Sequence, residues 1–183
     1  MKKKNTLLLN LFAGPGTGKS STMAGVFSEL KWMGVNCEQA PEFAKEKVWE
    51  ESLGVLKNQI YVFGKQLQAI HRVIGKVDVV ITDSPLLLSL IYGSKESKAF
   101  KDLVVEVHNS FDNWNIFLNR KKAYNPSGRL QTEKEAKAID ATILRMLKKN
   151  DIPFDRFDTG KYHCEMFAKM IAKRIGKDKL RYK

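Results

Sequence analysis

The residues Gly14, Pro15, Gly16, Thr17, Gly18, Lys19, Ser20 and Ser21 follow one another without a break. Glycines at this spacing leave room for the backbone to wrap closely round phosphate oxygens and turn its N–H groups inward, while Lys19 reaches the β and γ phosphates. Ser20 supplies a hydroxyl for magnesium. The expected ligands are therefore ATP and Mg2+. The usual form of such a loop opens with glycine five residues before Gly18; here Ala13 holds that position and glycine comes one later. A glycine turn that merely joins a strand to a helix is the bland alternative. The apolar run Leu7 to Phe12 before the loop, a helical pattern after it and an intact Gly-Lys-Ser together weigh against it.

Two carboxylates extend this chemistry. Asp83 ends the β-branched run Val77-Asp78-Val79-Val80-Ile81-Thr82, and Glu42 follows Pro41 after a short second strand. Phosphoryl transfer needs alignment, positive charge on the γ-phosphate and a carboxylate that orients or deprotonates the nucleophile. Glu42 is the expected base and Asp83, with Ser20, the expected metal group, although the sequence alone lets the two exchange roles. Arg120 and Arg129 flank a stretch broken by Pro126 and Gly128. Their planar forks suit a phosphate clamp, with Tyr124 as an anchor for the loop; a merely solvated basic turn is the competing reading.

These groups must be placed by the elements between them. Ser21 to Met33 carries Met23, Val26, Phe27 and Leu30 at helical spacing, so the positive end of a helix lies under the phosphates. Gly34 caps it, and Val35 to Gln39 reads as a second strand. Helices are expected over 42–52 and over 56–74, the latter with Ile60, Phe63, Leu67, Ile70 and Ile74 inward and ended by Gly75. Val77 to Asp83 is a buried parallel strand. Helices at 84–92 and 95–110 lead to a fourth strand at 115–118. Thr132-Glu133-Lys134-Glu135 matches a capping box opening a helix to Lys149. A fifth strand is expected at 153–157 and a last helix at 162–175. Strands alternating with helices predict a parallel sheet covered on both faces, with ligands at the carboxyl ends of the strands.

The 183 residues fit one domain, 1–183, with a lid at about 120–131 and a basic tail at about 173–183. The 32 Lys and Arg exceed the 20 Asp and Glu by twelve. That surplus suits a polyanionic partner such as DNA, and a lysine-rich surface equally. Cys37 and Cys164 have no metal spacing and read as reduced thiols. The start Met1-Lys2-Lys3-Lys4 imitates a secretion signal, but its apolar run passes directly into the phosphate loop. No run approaches the length of a membrane span, so a cytoplasmic location is expected.

Beyond the loop, the layout resembles the P-loop nucleoside and nucleotide kinases over nearly the whole chain. The resemblance implies an α/β three-layer sandwich whose five-stranded parallel sheet has the order 2-3-1-4-5, and an ATP- and Mg2+-dependent phosphotransferase. Pro41-Glu42 is similar to the Pro-Glu of deoxynucleoside kinases, where the glutamate takes the acceptor proton. Asp83 stands at the acidic metal-organising motif, and the basic lid runs from Arg120 through Arg129. An arginine normally follows the acidic residue; here Ser84 does. The long helix of those kinases supplies a base-reading glutamine, which makes Gln66 or Gln68, with Arg72 nearby, candidates for substrate binding. The wet face of an amphipathic helix explains the same residues. The resemblance extends to ribosylnicotinamide kinases and to viral kinases that phosphorylate 5-hydroxymethyluracil in DNA. The surplus charge favours the DNA acceptor, and hence a phage or other viral source, over a small nucleoside or nucleoside monophosphate. Two other classes stay open: an NTP-driven switch or motor, and a nucleic-acid-binding module that keeps the loop without catalysis. Against the motor, no long segment follows the fifth strand; against a GTPase, there is no Asn-Lys-x-Asp; against the module, Lys19, Ser20 and Asp83 are intact.

Overall fold

A computed structural model describes residues 5–121, 123–125, 131–160 and 162–177. Arg129, of which a clamp role is expected, and the end of the basic tail from residue 178 lie outside the described residues. The elements are β1 (Leu7–Phe12), α1 (Lys19–Trp32), β2 (Cys37–Ala40), α2 (Phe43–Trp49), α3 (Gln59–His71), β3 (Val79–Thr82), α4 (Ser89–Tyr92), α5 (Lys98–Asn109), β4 (Asp112–Asn119), α6 (Glu133–Lys149), β5 (Asp155–Asp158) and α7 (His163–Arg174), with 3-10 turns at Leu53–Lys57 and Leu86–Leu88.

All strand pairings are parallel, in the order β2-β3-β1-β4-β5 that the resemblance implies. Strand β1 is buried along its whole length because it is central and covered on both faces. Side chains alternate across a strand, so Leu7, Leu9 and Leu11 pack with α1 and α7 while Leu8 and Phe12 pack on the side of α3 to α6. On that second side Asn10 is wholly buried and donates to the side-chain carbonyls of Asn113 (2.9 Å) and Asn115 (3.1 Å) on β4.

Several elements differ from the sequence expectation, each for a local reason. Strand β2 starts at Cys37 rather than Val35, because the Val35 N–H closes the end of α1 on the Leu30 carbonyl. The long helix splits at Asn58, whose side chain accepts from the Tyr61 N–H and caps α3. Ile60, expected on an inward face, is 58% exposed, and α2 buries no residue at all, with Trp49 64% exposed. Pro85 keeps the chain extended after β3, so the expected helix over 84–92 becomes a 3-10 turn and the single turn α4. Strand β4 is longer than expected because it begins at Asp112, in register with Leu7. The capping box at Thr132 and Glu135 is present in full.

Candidate functional site

The site forms at the carboxyl ends of β1, β2 and β3. Leaving β1, the chain turns through Gly16 at φ +76° and Gly18 at φ +110°, left-handed conformations that glycine adopts without strain. Gly18 is the N-cap of α1 and no side chain caps that helix, which leaves its first N–H groups to a ligand. The Lys19 ammonium donates to the carbonyls of Ala13 (2.8 Å) and Gly14 (3.3 Å). Those two bonds span the loop and leave one of its three protons for a phosphate oxygen. Burial lowers the Lys19 pKa, opposed in order by the charges of Glu42, Asp83 and Asp140. The charges of three carboxylates on separate elements thus act on one cation.

Asp83 is 2% exposed. Its Oδ2 accepts from the Ser20 hydroxyl at 2.5 Å, and among the described residues its Oδ1 has no hydrogen-bond partner. A buried carboxylate oxygen without a partner, beside a hydroxyl, is a hard-oxygen donor set suited to Mg2+. Ser20 and Asp83 are the residues that would hold it, Asp83 directly or through water, and the bound ion supplies charge against the phosphate oxygens.

Glu42 is the N-cap residue of α2, yet its carboxylate does not cap that helix. Its charge acts on Lys19 and on the phenol of Tyr92, which is pushed up to about 12 by desolvation first and then by Glu42 and Asp140. Tyr92 therefore stays protonated beside the acidic pair.

The candidates on α3 separate. Gln66 is buried at the level of the strand ends, where its amide accepts from the Phe43 N–H (3.3 Å) and donates to the Ala40 carbonyl (3.4 Å) and the Thr82 hydroxyl (3.2 Å). Both ends of that amide are occupied by the framework that carries Glu42. Gln68 and Arg72 are exposed, and Arg72 follows the last turn of α3, where its carbonyl accepts from Lys76. That turn leads back to the amino ends of the strands, so the fold does not bring Arg72 to the phosphate loop.

On the lid side, Arg120 donates from Nε (3.0 Å) and Nη2 (2.8 Å) to Oδ2 of Asp140 and from Nη1 to the Pro15 carbonyl (2.9 Å). Tyr124 lies against the loop: a β-carbon added at Gly16 would come within 2.6 Å of its ring, and its hydroxyl donates to the Gln131 carbonyl. The opposite flank of the loop borders a cleft of about 690 Å³ between α1 and α7, lined by Thr17, Ser21, Lys121 and Thr159 among others. Asp140 and Tyr92 were missed in the sequence. Asp140 had a signal: it follows Ala136 by four and precedes Ile143 by three, an acid within the apolar stripe of α6.

Loop, strand order and acidic strand ends define a P-loop protein with the fold of the kinases. Residues 10–163 match the family described as "AAA domain", and the chain belongs to that family. No curated protein sequence matches it. Among solved structures it is similar to a NadR protein in complex with NR, with a TM-score of 0.68 at 12% identity over 98% of this chain and 53% of that one. The chain thus spans about half of that NadR chain. It is also similar to deoxyadenosine kinase from M. mycoides with bound dATP, with a TM-score of 0.52 at 16% identity over 92% of this chain and 99% of that one. For shikimate kinase from Acinetobacter baumannii in complex with shikimate, the TM-score is 0.51 at 10% identity over 98% and 97%. Identities this low speak to the fold. No helix among the described residues is long and apolar enough to cross a membrane.

Proposed function

We propose that this chain is an ATP- and Mg2+-dependent phosphotransferase acting on a hydroxyl of a nucleoside-type acceptor. The observation that carries the reading is the Ser20 hydroxyl bonded to the buried Asp83 beside a glycine loop whose Lys19 ammonium is held by the Ala13 and Gly14 carbonyls. Asp83, buried and joined to the first turn of α1, takes the metal side. Glu42, half-buried at the end of β2, takes the acceptor side. The acceptor oxygen attacks the γ-phosphorus, its proton passes to the Glu42 carboxylate, and the bond from γ-phosphorus to the β,γ-bridging oxygen breaks to release ADP. Lys19 and Arg120 hold the phosphate oxygens in line during the transfer.

A small acceptor, a nucleoside, a nucleoside monophosphate or ribosylnicotinamide, fits this site best, because the described residues next to the most basic segments lie at the other end of the sheet. Residues 1–4 and 173–183 hold nine of the 32 Lys and Arg and one acid. The described residues that flank these segments, Asn5 leading into β1 and Lys177 paired with Asp78 just before β3, lie at the amino end of the sheet. The second reading, a hydroxymethylated pyrimidine base in DNA, rests on the net charge of +12 itself. The test offers γ-labelled ATP with magnesium to a nucleoside and nucleoside-monophosphate pool, to ribosylnicotinamide, to plain DNA and to DNA carrying hydroxymethylated pyrimidines, with Lys19→Ala as control. Label in a small acceptor supports the first reading and label in modified DNA the second. Free phosphate alone, released by the wild type and lost in Lys19→Ala, would return the chain to the switch or motor class.

A further inference from the structure

Asp140 accepts three hydrogen bonds, and nothing in a phosphate loop or an acidic strand end calls for it. It sits one turn into α6 beyond Ala136, where that helix presses on the loop so closely that a β-carbon at Gly14 would meet the Ala136 carbonyl at 2.4 Å. Oδ1 accepts from the Gly14 N–H at 2.5 Å and Oδ2 accepts from two nitrogens of Arg120. Both oxygens are thus engaged, one by the loop and one by the first residue after β4. Side-chain exposures of 12% for Arg120 and 18% for Asp140 take this ion pair largely out of water. Desolvating two charges costs more than a surface pair returns, so such a pair is weak as a stabilising device and strong as a means of fixing direction.

The direction is informative. Arg120 has five N–H donors, of which Nε, one on Nη2 and one on Nη1 are used by Asp140 and the Pro15 carbonyl. One donor remains on each terminal nitrogen. Nη1 lies 3.5 Å from where a β-carbon of Gly16 would stand, against the turn of the loop. A guanidinium held on one edge by a carboxylate and on its tip by a loop carbonyl cannot swing away, which spares the ordering cost that a free arginine would incur on meeting phosphate.

We propose that Asp140 is a positioning residue for phosphate recognition, holding Arg120 against the loop at Pro15 and Gly16. It acts through Arg120 and touches no substrate. The inference rests on the phosphotransferase reading for its meaning, but its test does not need the acceptor. Affinity for ATP with magnesium is measured by calorimetry for the wild type, Asp140→Asn, Arg120→Gln and the double variant, with thermal midpoints for all four. We expect each single variant to bind ATP about tenfold more weakly, and the double variant to bind no more weakly than Arg120→Gln alone. Losses that multiply in the double variant, or an Asp140→Asn that binds like the wild type, would overturn the inference. Asp140→Glu keeps the charge and shifts the carboxylate by one methylene, so it covers the case in which Asp140→Asn does not fold. It too should lose ATP affinity at an unchanged midpoint, and wild-type affinity in that variant would count against the proposal. A protein that binds ATP with this coupling yet transfers no phosphate would leave Asp140 in place and remove the phosphotransferase reading instead.

Discussion

The hydroxyl of Ser20 donates to Oδ2 of Asp83 across 2.5 Å, joining the first turn of α1 to the end of β3. One bond thus fixes the two residues that would hold magnesium before any metal arrives, and the second Asp83 oxygen is buried without a partner among the described residues. Replacing Asp83 by Asn keeps the size and removes the charge. Turnover should fall by about 10²-fold or more and lose its dependence on magnesium, since the ion's charge stabilisation goes with its ligand. The thermal midpoint should hold or rise, because a neutral amide is less costly to bury than a carboxylate. A magnesium titration of ATP binding checks this, and an unchanged magnesium dependence in Asp83→Asn would remove the metal assignment.

Gln66 joins three elements at once: the end of β2 through Ala40, the start of α2 through Phe43, and the end of β3 through Thr82. Removing it as Gln66→Leu leaves buried polar groups without partners, at a cost of about 1–3 kcal/mol. Glu42 is the residue before Phe43, so the proposed base shifts as well and kcat should fall while the KM for ATP stays within about twofold. A base-reading role predicts the opposite pattern: a raised KM for the acceptor at unchanged stability. Urea midpoints beside steady-state kinetics separate the two.

The framework was legible because it rests on repeated, redundant signals. A buried central strand needs apolar residues on both faces, and Leu7 to Phe12 supplied them; Gly-Lys-Ser then fixed the direction of the chain into α1. Glu42 and Asp83 were legible as strand-end carboxylates for the same reason. What escaped depended on partners far away in sequence. Asp140 meets Gly14 across 126 positions and Arg120 across 20, and an acid in the apolar stripe of α6 does not say which groups it meets. Gln66 looked like a free polar side chain because its three partners belong to other elements. Ile60 looked inward because helical spacing alone does not say which face meets the core.

Lys177 is better read as a strut than as part of a nucleic-acid contact. Its ammonium lies 2.5 Å from Oδ2 of Asp78, which is itself 6% exposed. Lys177→Ala strips that buried carboxylate of its cation and should destabilise the fold by about 1–3 kcal/mol. A chain shortened after Lys177 keeps the pair, so its thermal midpoint should match that of the full chain. Any DNA affinity should fall in the shortened chain and depend less steeply on salt, since each lost phosphate contact removes roughly 0.9 from the slope. Equal slopes for the two chains would take the tail out of the case for a DNA acceptor.

His108 gives the protein a built-in sensitivity to acid. It is 2% exposed at the end of α5, its Nδ1 has no hydrogen-bond partner among the described residues, and burial pushes its pKa down to about 4 from the ordinary 6.5. Between those two values the unfolded chain binds a proton there and the folded chain does not. Stability from this residue is therefore whole above about pH 6.5, and it is lost as pH falls toward 4, by about 3 kcal/mol in all. Carboxylates titrate over part of the same range, so the informative quantity is a difference between two proteins. His108→Leu removes the titrating group, and its urea midpoint should drop less than that of the wild type between pH 7 and pH 4.5, whatever its stability at neutral pH. Parallel curves for the two proteins would mean that the imidazole is not held neutral in the core.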